Sequence, residues 1–186
     1  MFDFISNGLP LYMTHFDLFD MPVSLIVDQQ LLTRKYADFQ QQVQAPGDNG
    51  NIDHDAPAKM EKAALINEAY AVLKEPLETI KYVLTLRNLF DETEEYVVSP
   101  GFLTELHELN EGIQDHQDSA SEENEVKLRQ LDSALYEAVR IIIEGYDENV
   151  TTEAQLLQVK DYYYKKKYLG GILARIQGIR NIAAEI

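Results

Sequence analysis

Residues 58–86, AKMEKAALINEAYAVLKEPLETIKYVLTL, contain two consecutive segments of helical periodicity separated by a proline. Apolar residues recur every three or four positions, namely Leu65, Ala69 and Val72 in the first segment and Leu77, Ile80 and Leu84 in the second. This spacing places side chains on one face of a helix. Pro76 ends or kinks the first helix, because proline lacks an amide hydrogen and disfavours helical geometry in the residue before it. The stretch predicts two helices, and similar spacing from residue 14 onward predicts an all-α class.

Two more helices are predicted before this pair. Thr14 is expected to cap a short helix through HFDLFD, which Met21-Pro22 ends. Asp28 is expected to cap a longer helix at residues 29–43. The apolar stripe of that helix consists of Leu32, Tyr36, Phe39 and Val43. The helix stops at residues 44–57, QAPGDNGNIDHDAP, whose prolines, glycines and Asp/Asn residues predict an exposed loop.

The second half of the chain follows an acidic stretch, DETEEYVV, at residues 91–98. Three amphipathic helices are predicted beyond it, each with one apolar stripe. The stripe of the first helix is Phe102, Leu106, Leu109 and Ile113, and that of the second is Leu128, Leu131, Leu135, Val139 and Ile142. The stripe of the third is Leu169, Ile172, Leu173, Ile176 and Ile179. The polar segment 114–125, QDHQDSASEENE, is expected to be a mobile connection. Because each stripe needs the others for burial, an antiparallel three-helix bundle is predicted. The expected limits are 14–90 for the first domain, 91–98 for an acidic linker and 99–182 for the bundle.

The composition excludes several classes of function. With 32 acidic and 16 basic residues, the net charge of -16 repels phosphate backbones and anionic lipids, so neither nucleic acid nor a membrane is an expected partner. The chain has no cysteine, which excludes thiolate metal ligands and thiol nucleophiles. No segment resembles a secretion signal or approaches the roughly 20 apolar residues of a spanning helix, so a cytoplasmic protein is expected.

Neither metal chemistry nor catalysis is predicted. Asp53-His54-Asp55 is interpreted as a solvated turn, because a third and a fourth metal ligand are not apparent. The carboxylates occur in local runs, without the paired arrangement in apolar surroundings that acid–base catalysis needs. We therefore expect no cofactor, no metal ion and no enzymatic activity.

Two clusters near the carboxyl end need interpretation. The tyrosines at residues 162–164 cover more than half of a helical turn, so most of them are expected in the core with one ring at its rim. Lys165, Lys166 and Lys167 form the basic cluster of the sequence. This cluster is either a binding patch or the solvated face of the last helix.

Four strings occur in a specific order and spacing, although each is weak alone. They are HFDLFDMP at 15–22, INEAYAVLKEPLETIKYVLTL at 66–86, FLTELHELNE at 102–111 and KDYYYKKKYL at 160–169. With the four-helix unit and the acidic three-helix unit, they resemble the HscB-type J-domain co-chaperones of iron–sulfur cluster assembly, from residue 14 to about residue 180. The resemblance implies a J-like domain, a helical hairpin with flanking helices, that stimulates a DnaK-type heat-shock ATPase. It also implies a bundle that binds the cluster scaffold protein.

The resemblance further implies that a signature of the J-like domain is lost. In this family the second helix runs into the tripeptide His-Pro-Asp, and a gapless match places Gln44-Ala45-Pro46 there. An aspartate offers an ionised hydrogen-bond acceptor to a chaperone arginine, whereas alanine and proline side chains offer none. Arg34 and Lys35 are the basic residues that remain on this helix to face an acidic chaperone. ATPase stimulation is therefore expected to be impaired.

The scaffold-binding patch is expected beside the core stripe of the bundle's first helix. Leu103, His107 and Glu111 recur at i, i+4 and i+8 on the solvent side of that stripe, and the resemblance adds a basic and an aromatic residue from the last helix. The full predicted set is Leu103, Thr104, His107, Glu108, Glu111, Lys167 and Tyr168. The family commonly has an apolar residue at His107 and a methionine at Thr104, so the patch here is more polar.

A second hypothesis assigns the chain to another class. Both domains would then have diverged into a helical protein-interaction module that binds an unrelated helix or the protein itself. Self-association independent of a scaffold would distinguish this module from a co-chaperone.

Overall fold

The computed structural model describes residues 13–44, 56–114 and 119–184, and regular structure in these residues is helical throughout. The helices are α1 His15–Leu18, α2 Gln29–Gln44, α3 Ala56–Leu73, α4 Pro76–Leu86, α5 Pro100–Gln114, α6 Ser119–Glu144 and α7 Glu153–Ala184. The predicted all-α class is confirmed. The chain divides into two compact units, residues 1–83 and 84–186. The predicted domain limits of 14–90, 91–98 and 99–182 stay a prediction.

Side chains cap the first two helices as the sequence predicts. The Thr14 hydroxyl accepts a hydrogen bond from the Asp17 amide at 3.1 Å, and the Asp17 carboxylate accepts one from the Thr14 amide at 2.7 Å. This capping box satisfies amides that would otherwise lack a partner at the start of the helix. The Asp28 carboxylate accepts hydrogen bonds from the amides of Gln30 and Leu31, both at 3.0 Å. Both predicted caps are confirmed.

In the first unit α1 and α2 pack against α3, and residues of α4 also belong to the buried core. Its buried apolar side chains are Phe16, Phe19, Leu25, Val27, Leu32, Ile66, Ala69, Leu73, Ile80 and Val83. Each leucine-sized side chain among them contributes about 1.5–3 kcal/mol relative to exposure. The rings of Tyr36 and Tyr70 stack with their centroids 3.9 Å apart, which joins α2 to α3 beside this core.

Pro76 separates α3 from α4. Helix α3 ends at Leu73, and Pro76 is the first residue of α4, where its missing amide hydrogen is not needed. The Leu73 carbonyl, which has lost its helical partner, accepts hydrogen bonds from the Thr79 hydroxyl at 3.2 Å and the Gln29 side-chain amide at 3.1 Å. The proline therefore ends the helix rather than kinking it.

The core of the second unit draws on all three helices of the bundle. Helix α6 packs against both α5 and α7. The buried residues of the core are Val98, Phe102, Leu106, Leu128 and Leu169, against which Leu109, Leu131, Leu135, Ile172 and Leu173 pack while partly exposed. Residues of the three predicted stripes therefore meet in one core, as a three-helix bundle requires.

The helices of the second unit are longer than the sequence predicts. Helix α6 begins at Ser119, so most of the predicted mobile connection 114–125 is helical, and Glu125 is buried. The acidic residues at the start of α6 are favourable near a helix N-terminus. Because this segment has no apolar periodicity, the sequence pattern did not indicate a helix there. Helix α7 begins at Glu153, well before the predicted stripe, and Leu156 near its start is fully buried.

The acidic stretch 91–98 contributes to the second unit. Val98 is 2% exposed within the bundle core. The Glu94 carboxylate forms an ion pair with the Lys160 ammonium at 2.5 Å, although Lys160 is itself buried. Glu94 is therefore held against α7, and the stretch ends in the core of the bundle.

Candidate partner-binding surfaces

The first candidate surface is the α2 surface, which consists of Arg34 and Lys35. Arg34 is exposed. The Lys35 ammonium donates a hydrogen bond to the Asp20 carbonyl at 3.1 Å and lies 3.6 Å from the Asp20 carboxylate. Asp20 follows α1 with φ of 47°, in the left-handed region that side chains rarely adopt. Lys35 thus stabilises a strained turn within the first unit.

The expected tripeptide position lies at the carboxyl end of α2. Gln44 is the last residue of that helix, one residue beyond the predicted helix 29–43. Ala45 and Pro46 lie outside the described residues. The effect of these three residues on chaperone contact therefore stays a prediction from the sequence.

The second candidate surface is the α5–α7 groove, a cavity of about 390 Å³ between those two helices. Its lining residues are Leu103, Leu106, His107 and Asn110 from α5 and Lys167, Tyr168, Gly171 and Ile172 from α7. Leu106 is directed into the core, which brings Leu103 and His107 to the neighbouring side of α5. Leu103 and Tyr168 are 38% and 50% exposed. The groove therefore presents apolar surface with polar groups beside it.

The structure brings together four of the predicted scaffold-binding residues, which are Leu103, His107, Lys167 and Tyr168. Glu111 adjoins them, because its carboxylate lies 3.3 Å from the His107 Nε2 atom. Thr104 and Glu108 are exposed on α5 but do not line the groove. The Thr104 hydroxyl instead donates a hydrogen bond to the Pro100 carbonyl at 3.0 Å.

The lysines of α7 differ in their ionic partners. Three of them are paired with carboxylates, namely Lys160 with Glu94, Lys165 with Asp161 and Lys166 with Asp132. Lys167 has no carboxylate partner among the described residues, and its ammonium lies 6.0 Å from the centroid of the Tyr163 ring. Lys165 and Lys166 are partly buried, so the interpretation as a solvated face does not describe them, and the binding role of Lys167 stays a prediction. Lys165 and Lys166 are neutralised within the fold, whereas Lys167 faces the groove.

The tyrosine cluster lies mostly in the core, as the sequence predicts, with Tyr162 and Tyr163 buried and Tyr164 half-buried. The Tyr164 ring stacks on Tyr96 with the centroids 4.1 Å apart. The Tyr96 hydroxyl donates a hydrogen bond to the Asp161 carboxylate at 2.9 Å. Burial, assisted by this carboxylate, raises the pKa of Tyr96 to about 12. These contacts restrict rotation of α7 about its axis just before the groove residues.

Sequence reasoning missed part of the groove. Asn110, Gly171 and Ile172 line it but are absent from the predicted patch. A signal was present in the pair Gly170-Gly171, because each glycine in a helix interior costs about 1 kcal/mol relative to alanine.

Within the described ranges, no three His, Cys, Asp or Glu side chains are grouped so that they could hold a metal ion. The turn Asp53-His54-Asp55 lies outside those ranges. None of the described helices combines the length and apolarity needed to cross a lipid bilayer.

Proteins with related sequences are HscB-type co-chaperones. The co-chaperone protein HscB homolog of Vibrio parahaemolyticus is 32% identical over 146 residues, which cover 78% of this chain and 80% of that protein. The co-chaperone protein HscB homolog of Vibrio atlanticus is 28% identical over 166 residues, which cover 89% of this chain and 95% of that protein. No family model matches the chain.

Solved structures share the fold at lower identity. The chaperone HscB from Vibrio cholerae has a TM-score of 0.71 at 21% identity, over 91% of this chain and 98% of that one. The human co-chaperone protein HscB has a TM-score of 0.73 at 22% identity, over 91% of this chain and 83% of that one. Both likenesses extend over the two units of the fold.

Proposed function

This chain belongs to the HscB family of J-domain co-chaperones, and from that premise we propose that it is an adaptor in iron–sulfur cluster assembly. Its second unit binds the cluster scaffold protein through the α5–α7 groove, and its first unit engages a DnaK-type heat-shock ATPase weakly. The observation that carries the proposal is the convergence of four predicted scaffold-binding residues from two helices on one cavity.

The α5–α7 groove has the composition of a protein-binding site. Leu103 and Tyr168 expose apolar surface, while His107 and Lys167 supply polar groups. Large side chains in a pocket contribute most of the free energy at protein interfaces, whereas charges at the rim mainly accelerate association and select the partner. An apolar segment of the scaffold protein is therefore the occupant that this surface fits.

Two observations support weak ATPase stimulation. Gln44-Ala45-Pro46 stands where the family has its tripeptide, and the alanine and proline side chains provide no hydrogen-bond acceptor. Lys35 is paired with Asp20, which leaves Arg34 as the exposed cation of the α2 surface. With a net charge of -16 on the chain, one exposed arginine attracts an acidic chaperone weakly.

The chaperone part of the proposal is tested by the ATPase rate of a DnaK-type chaperone in the presence of scaffold. The unchanged chain should stimulate this rate little, and the triple variant Gln44→His, Ala45→Pro, Pro46→Asp should stimulate it more. Circular dichroism of both proteins checks that they are equally helical. Strong stimulation by the unchanged chain that disappears when residues 44–46 are altered would contradict the proposed impairment.

The scaffold part is tested separately by isothermal titration calorimetry of the full chain with a purified cluster scaffold protein. Saturable binding is expected. Sedimentation of the chain alone addresses the other hypothesis, that of a diverged module. Self-association without scaffold binding would favour that module over the adaptor.

A further inference from the structure

Two consecutive glycines, Gly170 and Gly171, lie in the interior of α7. Glycine is the least favourable helix residue apart from proline, because it loses the most backbone freedom on folding. Apart from its chain neighbours and the backbone of its own helix, a β-carbon built on either glycine meets no atom within 4 Å, so close packing of another element requires neither of them. The helical backbone requires neither of them, since any residue except proline fits it. Neither close packing nor backbone conformation therefore accounts for the two glycines.

Only one of the two glycines lies at the α5–α7 groove. Gly171 lines the groove, whereas Gly170 does not. Residues three and four positions apart share a helix face, which places Gly171 beside Tyr168 and Lys167. Open space surrounds the position of a β-carbon on Gly171, so a side chain there would extend into unoccupied volume at the wall of the groove. We call the space left by this missing side chain, on the helix face that Gly171 shares with Tyr168, the recess.

The surroundings of this recess define the chemistry of its occupant. The aliphatic lining residues of the groove are Leu103, Leu106 and Ile172. Lys167 contributes an ammonium group with no carboxylate partner in the described part of the chain. His107, the other basic side chain of the groove, already lies 3.3 Å from the Glu111 carboxylate. A large apolar side chain with a carboxylate next to it matches both the recess and Lys167.

We infer that Gly171 determines the specificity of the α5–α7 groove. Its recess accepts one large apolar side chain of the scaffold protein, and Lys167 pairs with a carboxylate adjacent to that side chain. This inference rests on the proposed function, because it takes the scaffold protein as the occupant of the groove.

Substitution of the two glycines provides a matched pair of variants. Gly171→Leu fills the recess, and Gly170→Leu adds the same side chain one position away, outside the groove. Isothermal titration calorimetry of the full chain with the scaffold protein should show binding at least about tenfold weaker for Gly171→Leu and within about twofold of the unchanged chain for Gly170→Leu. Both variants should unfold at a temperature no lower than the unchanged chain, because leucine favours the helix more than glycine does.

Gly171→Ala separates binding from folding. Alanine shortens the recess by one methyl group and stabilises the helix, so this variant should have a higher unfolding temperature and an affinity between those of the unchanged chain and Gly171→Leu. Loss of structure cannot account for weaker binding by a more stable protein.

The substitution Lys167→Met tests whether the occupant of the groove carries a carboxylate next to its apolar side chain. It should weaken scaffold binding by roughly threefold to tenfold at low salt and remove most of the salt dependence of the affinity. Unchanged salt dependence would overturn the assignment of a carboxylate to the occupant.

The outcomes separate the inference from the proposed function. Equal scaffold affinities of Gly171→Leu, Gly170→Leu and the unchanged chain would overturn the role of Gly171 and leave scaffold binding standing. Absence of scaffold binding by the unchanged chain would overturn the proposed function, and with it the inference.

Discussion

The α2 surface and the α5–α7 groove both carry lysines that the sequence assigns to partners, but the two lysines differ in what surrounds them. Lys35 binds the carbonyl and the carboxylate of Asp20 within the first unit. Lys167 lines a cavity and has no carboxylate partner among the described residues. The comparison teaches that a cation with an internal counterion must give up that pairing to bind a partner, whereas an unpaired cation need not.

The largest expected effect concerns the apolar part of the groove. Leu103→Ala combined with Tyr168→Ala should weaken scaffold binding by about 100-fold, because truncation of central aromatic and aliphatic side chains dominates interface energetics. Isothermal titration calorimetry measures the loss. The control is Val126→Ala combined with Leu157→Ala, whose side chains are 52% and 47% exposed but do not line the groove. Similar losses in both double variants would show that the groove is not the binding site.

Alanine substitutions of Lys160 and Lys167 compare a paired with an unpaired lysine on the same helix. Lys160→Ala should lower the free energy of unfolding by about 1–3 kcal/mol, since it removes a buried ammonium that binds Glu94. Lys167→Ala should change that free energy by no more than about 0.5 kcal/mol, because its side chain is exposed. Urea denaturation measures both. The distinction between them fails if Lys167→Ala is as destabilising as Lys160→Ala.

Arg34 and Lys35 allow the same comparison on the α2 surface. Lys35→Ala should lower the free energy of unfolding by about 0.5–1 kcal/mol, because a partly exposed ion pair and a hydrogen bond to the Asp20 carbonyl are lost. Arg34→Ala should have a smaller effect, because Arg34 is exposed. Thermal denaturation of the two variants side by side tests this order, and a larger loss for Arg34→Ala would reverse it.

The smallest expected effect is a pH response that originates in the first unit. His15 stacks on Tyr82 with the ring centroids 4.2 Å apart, and its burial lowers its pKa, an effect that Glu68 partly opposes. An unfolded imidazole has a pKa of about 6.5, so the unfolded chain takes up this proton first as the pH falls. The free energy of unfolding should therefore decrease as the pH falls below about 6.5, until the lowered folded-state pKa has been passed.

The substitution His15→Gln should flatten this slope between about pH 7 and pH 5. Urea denaturation at several pH values compares the slopes of the variant and the unchanged chain. The comparison of slopes, rather than of absolute stabilities, excludes the loss of stacking on Tyr82 as the cause. Identical slopes would rule out His15 as the source of the response.

The parts of the fold that were predicted correctly depend on local contacts. Thr14 and Asp28 cap helices through amides two or three residues away, and Pro76 ends α3 through its own covalent structure. The start of α6 at Ser119 was missed, because an acidic segment without apolar periodicity is typical of a solvated connection. Its helical state becomes evident only in the structure, where Glu125 is buried.

The groove was predicted in part. The stripe of Leu103 and His107 follows from helical spacing, whereas Lys167 and Tyr168 were assigned by resemblance alone. The recess at Gly171 was missed, because the spacing of residues along one helix does not reveal the empty volume between two helices.

The sequence by itself determined the helical class, the apolar stripes that join the helices and the family, because periodicity, caps and the order of short strings are properties of neighbouring residues. Tertiary structure alone decided which lysines remain available and where the cavity lies. Asp132 reaches Lys166 and Glu94 reaches Lys160 only after distant segments have packed together. Ion pairing and enclosed volume depend on distances across the fold, and no local pattern specifies those distances.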